Sequence, residues 1–160
     1  MNIKRILFVC TGNSCRSVMA EGLARHLLQR AGIEGVTVES AGVFAIDGML
    51  PTRETITLLR GLGVDATGHR ACAPTAEAVQ AADLICVMEE FQREELLRRF
   101  PQAREKMHLL KPYGLSAGEL IGGPNIPDPI GKPLEVYEVC FAQIREAIER
   151  VVKSLRVPSG

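Results

Sequence analysis

Apolar residues in this chain gather into two kinds of run, and the two kinds alternate. Ile6-Leu7-Phe8-Val9, in the segment Lys4 to Val9, and Leu84-Ile85-Cys86-Val87-Met88, in the segment Asp83 to Met88, contain no polar position. Such short continuous runs predict strands buried on both faces, as in a parallel sheet. Val36–Ala41 and Met107–Leu110 read as two further strands. Other stretches carry a helical period. From Ser17 the residues Met19, Leu23 and Leu27 stand four apart on one face, and Gly32 is placed to end that helix. Pro51 opens a second helix bearing Ile56, Leu59 and Leu62, and a charged helix runs from Glu89 to Phe100 with Pro101 behind it. The last helix has the longest stripe: Val136, Cys140, Ile144, Ile148 and Val152, widened by Val151 and Leu155. Between Lys111 and Pro133 the chain is rich in Gly and Pro and has no period, which in a compact domain marks a functional or mobile loop.

Strands alternating with helices predict an α/β, three-layer domain in which helices cover both faces of a parallel sheet. Ligand sites in such sheets lie at the carboxyl ends of the strands, where Cys10 falls. No repeat or linker divides the chain, so residues 1–160 are expected to form one domain. The composition supports this, since 46% of 160 residues are hydrophobic, enough for a sizeable core. Lys plus Arg and Asp plus Glu both total 19, so the chain lacks the broad field of a nucleic-acid or membrane-surface binder. No apolar run approaches the ~18 residues of a membrane span, and the run behind Lys4-Arg5 is too short for an export signal. Five cysteines, an odd number, argue for reduced thiols and a cytoplasmic location.

The chemistry concentrates in Cys10-Thr11-Gly12-Asn13-Ser14-Cys15-Arg16-Ser17, which joins the first strand to the first helix. Helix N-termini present unpaired N–H groups and the positive dipole end, so they bind anions. A loop of small residues lets successive N–H groups curl round one tetrahedral oxyanion. Arg16 can return across that loop and grip two oxygens with its planar fork. The same field favours a thiolate at Cys10, the nucleophilic form. The Cys-x5-Arg spacing by itself arises by chance roughly every second time in a chain this rich in arginine. Its position between a buried strand and an amphipathic helix makes it specific.

Residues 7–21, LFVCTGNSCRSVMAE, resemble the signature of the low-molecular-weight protein tyrosine phosphatase family. Ser40-Ala41-Gly42, His69, Val87-Met88 and Asp128-Pro129 follow in the family's order, so the resemblance covers nearly the whole chain. It implies a four-stranded parallel sheet and metal-free hydrolysis of phosphate esters or phosphoramidates through a phosphocysteine. The expected partners are phosphorylated proteins, with inorganic phosphate as product and no cofactor. On these positions Cys10 would be the nucleophile and Arg16 the binder of phosphate and transition state. Thr11, Gly12, Asn13, Ser14, Cys15 and Ser17 would complete the phosphate-binding loop. Asn13 would hold the loop geometry, the Ser17 hydroxyl would stabilise the thiolate, and His69 would brace the loop. Val18 stands where the family usually has proline.

A thiolate displacing phosphate needs a proton donor for the leaving group and a base for the attacking water. Of Asp47, Asp65, Asp83 and Asp128, two have ordinary structural explanations: Asp83 heads a strand and Asp65 follows a helix in a turn. Asp128 lies between Pro127 and Pro129 in the long loop, where fixed backbone angles can hold a carboxylate over a pocket.

On substrate, Ser14 departs from the bulky apolar residue of the tyrosine-specific members, and Ile130-Gly131 replace their aromatics, with no aromatic near until Tyr137. A small hydroxyl suits a guanidinium neighbour, whereas a phosphotyrosine ring favours apolar walls. The Cys-Thr-Gly-Asn start and Ser40-Ala41-Gly42-Val43-Phe44 resemble the bacterial protein-arginine phosphatases of the family, which carry threonine at the Ser14 position. Phosphoarginine is therefore favoured, with phosphotyrosine close behind. Thioredoxin-coupled arsenate reductases share the loop but need two closely spaced cysteines after the third strand, where this chain has Cys86 alone. A catalytically silent phosphate-binding module is a further alternative. Zinc is not expected, because Cys10 and Cys15 have no nearby histidine pair. Cys15 could form a disulfide with oxidised Cys10, and Cys72, Cys86 and Cys140 are read as packing residues. Arg93 to Arg99 reads as an exposed helix face with i,i+4 pairs.

Overall fold

The computed structural model describes residues 2–156. Strands β1 (Arg5–Cys10), β2 (Thr37–Gly42), β3 (Leu84–Val87) and β4 (Met107–Leu109) form one parallel sheet in the order β2-β1-β3-β4. The pleat explains why β1 has no polar interior position. Ile6, Phe8 and Cys10 enter one core and Leu7 and Val9 the other. Helices α1 (Arg16–Arg30), α2 (Arg53–Arg60) and α5 (Leu134–Leu155) supply Met19, Leu23, Leu59, Ile144 and Ile148 to the first core. Helices α3 (Ala76–Ala81) and α4 (Glu90–Arg99) supply Val79, Leu96 and Leu97 to the second. The chain runs from β1 out to β2 and then back past β1 to β3, so α1 and α4 leave neighbouring strands on opposite faces. That reversal opens a crevice at the carboxyl ends of β1 and β3.

Two elements differ from the sequence pattern. Helix α3 was not anticipated, because a six-residue helix whose one buried residue is Val79 carries no stripe to detect. Its start is set by the Thr75 hydroxyl, which accepts from the Ala78 N–H at 3.1 Å. In α5 the buried stripe begins at Tyr137, 1% exposed, while Val136 is 41% exposed. Both positions stand one turn before Cys140, but Tyr137, seven residues before Ile144, is in phase with the buried stripe, and its hydroxyl lies 3.5 Å from the Cys15 Sγ. Cys86 and Cys140 are buried as expected, but Cys72 is exposed and is not a packing residue. Among the described residues no helix is long and apolar enough to cross a membrane.

Asp83 closes the start of the sheet. Its Oδ2 accepts from the backbone N–H groups of Lys4 (2.8 Å) and Arg5 (2.9 Å), and the Lys4 bond is the main cause of its lowered pKa. A depressed carboxyl contributes stability above its unfolded pKa and loses it as pH falls through the folded value. Asp83→Asn is therefore expected to lower stability at pH 7 by about 1 kcal/mol, discounted for solvent exposure. Urea midpoints of the two proteins should converge toward pH 3, and a gap that is constant with pH would contradict the charge-based account.

Candidate active site

Cys10 is the last residue of β1, and five residues separate it from Arg16, the first of α1. Helix α1 begins without a side-chain cap and without an acidic residue in its first turn, so its first N–H groups are left for an anion. The loop between is pinned at Asn13, whose φ of 54° lies in the left-handed region that asparagine tolerates. The Asn13 amide nitrogen donates to Ser17 Oγ (2.8 Å) and Ser40 Oγ (3.0 Å), and its Oδ1 accepts from the Cys72 N–H (3.1 Å). With Ser17 Oγ already accepting, its hydroxyl proton is free to point at the Cys10 Sγ, 3.0 Å away. The Asn13 N–H donates to the same sulfur at 3.3 Å. Two donors thus converge on Cys10. His69 Nε2 donates to the Asn13 carbonyl at 3.0 Å, which holds the loop from outside.

Gly42 explains the Ser-Ala-Gly run. A Cβ there would come within 2.5 Å of the Thr11 carbonyl and 2.7 Å of the Asn13 nitrogen, so only glycine lets the loop lie on β2. Cys15 packs beneath the loop with its Sγ 3.5 Å from both Thr52 Oγ1 and Tyr137 OH.

Arg16 is 1% exposed and carries its charge between two carboxylates. Its Nη1 donates to Glu89 Oε1 and, at 2.7 Å, to the Ile126 carbonyl, while Nη2 lies 3.6 Å from Asp128 Oδ2. Arg16 Nε is the one buried side-chain nitrogen or oxygen among the described residues without a partner, a donor that an anion oxygen would satisfy. Asp128 is exposed, its Oδ1 accepts from the Ile130 N–H at 3.0 Å, and its Oδ2 faces the arginine. Cys10, Arg16 and Asp128 line one cavity of about 240 Å³, with Ser14 beside them and Phe44, Ile46, Met49 and Ile130 at its mouth. Two of the other aspartates are committed elsewhere: Asp83 holds β1, and Asp65 Oδ1 accepts from the Thr67 N–H at 2.9 Å. Among the described residues no group of three His, Cys, Asp or Glu is arranged to hold a metal ion.

Several residues at the site carry no sequence motif. The turn from β3 into α4 ties the parts together. The buried Gln92 amide donates to Thr11 Oγ1 (3.0 Å), and its Oε1 accepts from the N–H groups of Met88 (2.9 Å) and Glu89 (2.8 Å). The loop that carries Asp128 is fastened to the same turn, because the Ile126 N–H donates to the Met88 carbonyl at 2.9 Å and Asn125 Oδ1 accepts from the Glu90 N–H at 2.9 Å. In the sequence Glu89 and Gln92 look like ordinary members of a charged helix. The aromatic at the mouth is Phe44, not Tyr137, which is buried under the loop. Two thiols are chemically quiet: burial pushes both Cys86 and Cys140 up to about 12. Cys86 lies within β3 and is fully enclosed, and no cysteine follows it before Cys140, so a closely spaced thiol pair after that strand is missing.

The chain as a whole resembles known proteins. The family described as low molecular weight phosphotyrosine protein phosphatase matches residues 5–158. A protein-arginine-phosphatase of Geobacillus stearothermophilus is 34% identical over 154 residues, covering 95% of this chain and 96% of the relative. A probable low molecular weight protein-tyrosine-phosphatase, EpsP of Ralstonia nicotianae, is also 34% identical over 154 residues, covering 96% and 97%. The solved structure of a YwlE arginine phosphatase mutant, whose active-site serine is phosphorylated, superposes with a TM-score of 0.87 at 30% identity, covering 97% of each chain. By sequence along its length and by fold, the chain belongs to the low molecular weight phosphotyrosine protein phosphatase family.

Proposed function

We propose that this chain is a cytoplasmic cysteine-dependent protein phosphatase that removes phosphate from protein side chains, with phosphoarginine as the favoured substrate. One observation carries the chemistry: the Cys10 sulfur receives the Ser17 hydroxyl and the Asn13 N–H in a cavity that Arg16 and Asp128 also line. Both donors stabilise negative charge on sulfur. In the reaction the Cys10 thiolate attacks phosphorus in line with the leaving group, and the P–N or P–O bond breaks. Asp128 gives its proton to the departing nitrogen or oxygen. Water then attacks the phosphocysteine, Asp128 takes a proton from it, and the S–P bond breaks to release phosphate and restore the thiolate. Throughout, the helix N-terminus and Arg16 hold the phosphoryl oxygens, whose charge grows in the transition state. Glu89 and Ile126 orient the Arg16 fork, and His69 braces the loop.

The preference for phosphoarginine rests on Ser14, a small buried hydroxyl lining the cavity that leaves room for a polar guanidinium. Phosphotyrosine is the second reading, and Phe44 favours it, because an aromatic ring at the mouth can stack on a phenyl ring. Initial rates on phosphoarginine and phosphotyrosine peptides, with arsenate plus thioredoxin as a control, decide between them. A phosphotyrosine preference would overturn the argument from Ser14.

Asp128→Ala tests the proton donor. It is expected to lower kcat/KM, which reports formation of the phosphocysteine and not the later water step, on phosphoarginine and alkyl phosphates by roughly 10²- to 10³-fold. Nitrophenyl phosphate, whose leaving group needs no proton, should lose less than about tenfold. Equal losses on both would remove Asp128 from the donor role.

A further inference from the structure

The run Arg93 to Arg99 reads in the sequence as a solvated helix face, and Glu95 does pair with Arg98 and Arg99. Arg99 nevertheless turns away from solvent. Its Nη2 donates to the Val43 carbonyl at 2.7 Å, its Nε to Glu95 Oε1 at 3.0 Å, and its guanidinium lies over the Phe44 ring, 5.5 Å from the centroid. Phe44 is 58% exposed, yet it is held where it stands. The Val43 N–H donates to the Cys10 carbonyl and the Phe44 N–H to the Thr11 carbonyl, each at 2.9 Å, so the backbone under the ring is fastened to the phosphate-binding loop. A large exposed ring on a free loop would sample several rotamers. A guanidinium on the ring, itself fixed at both ends, removes that freedom before a ligand arrives.

We propose that Arg99 is a positioning residue that fixes the Phe44 ring as a wall of the reaction cavity and thereby sets affinity for substrates with a planar group beside the phosphate. Phosphoarginine and phosphotyrosine both present such a group, the guanidinium in one and the phenyl ring in the other, and either can stack on the wall. The inference rests on the proposed phosphatase reading for its substrates, but ring positioning can be measured without turnover.

The test uses the full chain with Arg99→Ala and Arg99→Lys. Calorimetry would measure binding of phenylphosphonate, which carries a ring, and of inorganic phosphate, which carries none. Steady-state kinetics on the two phosphopeptides would run beside it. In Arg99→Ala the Kd for phenylphosphonate should rise about three- to five-fold, the scale of an exposed cation–π contact, with phosphate binding unchanged. KM should rise by a similar factor on whichever peptide is hydrolysed, with kcat preserved, and Arg99→Lys should recover part of the loss by keeping a cation over the ring. Unchanged phenylphosphonate binding overturns the proposal. So does a parallel loss of phosphate affinity, which would mean that Arg99 acts on the loop rather than the wall. If the wild-type chain hydrolyses neither peptide while the two binding constants still separate, the phosphatase reading fails and the role of Arg99 stands.

Discussion

Cys10→Ser is expected to reduce turnover by at least ~10⁴-fold while inorganic phosphate still binds within a few-fold of the wild-type affinity. The two halves have separate physical causes. Turnover needs a nucleophile, and a serine hydroxyl attacks only when a base takes its proton. The groups touching the sulfur are the Ser17 hydroxyl and the Asn13 N–H, both positioned as donors, and neither can serve as that base. Binding needs the other loop N–H groups and the Arg16 fork, which do not involve the sulfur. Steady-state rates and phosphate calorimetry on the same sample separate the two effects. Retention of more than about 1% of wild-type turnover would place the nucleophile elsewhere.

Arg16→Lys should be nearly as damaging although it keeps the charge. A fall in kcat/KM of roughly 10³-fold is expected, with phosphate affinity weakened about 100-fold. Lysine has one nitrogen where arginine has three. Arg16 Nη1 already serves Glu89 and Ile126, Nη2 faces Asp128, and Nε is free for an anion oxygen. A single ammonium cannot satisfy the Glu89 carboxylate and also grip two phosphoryl oxygens. It is expected to settle on the carboxylate and leave the anion under-bound. A Lys variant that kept a tenth of the activity would show that charge alone suffices and would sink the bidentate account.

These expectations draw unequally on sequence and structure. Strands β1 and β3 were legible because a strand buried on both faces has no polar interior position, and the boundaries of all four strands moved by only a residue or so in the fold. The anion loop was legible because its chemistry is local. Cys10, Asn13, Arg16 and Ser17 lie within eight residues between a strand end and a helix start, and the helix dipole acts over that distance. Asp128 was legible from its place between Pro127 and Pro129 in the long loop, beside the family resemblance, while Asp65 and Asp83 showed structural uses. Helix α3 was not legible, being too short to carry a period.

The sequence by itself determined the layered α/β plan and the loop that carries Cys10 into the first helix, and it pointed to the type of each proposed catalytic group, because these depend on neighbours within one turn or one pleat. Only the tertiary structure decided which distant side chains meet them. Glu89, 73 residues from Arg16, became its partner because the strand order places the β3–α4 turn beside the first loop. Tyr137 rather than Val136 turned inward, and its hydroxyl came to lie under the loop against the Cys15 thiol, 122 residues away in the chain. Arg99, one of several arginines on a charged helix, met Phe44 across the crevice. Long-range pairings of this kind are set by the packing of whole layers, and no local spacing encodes them.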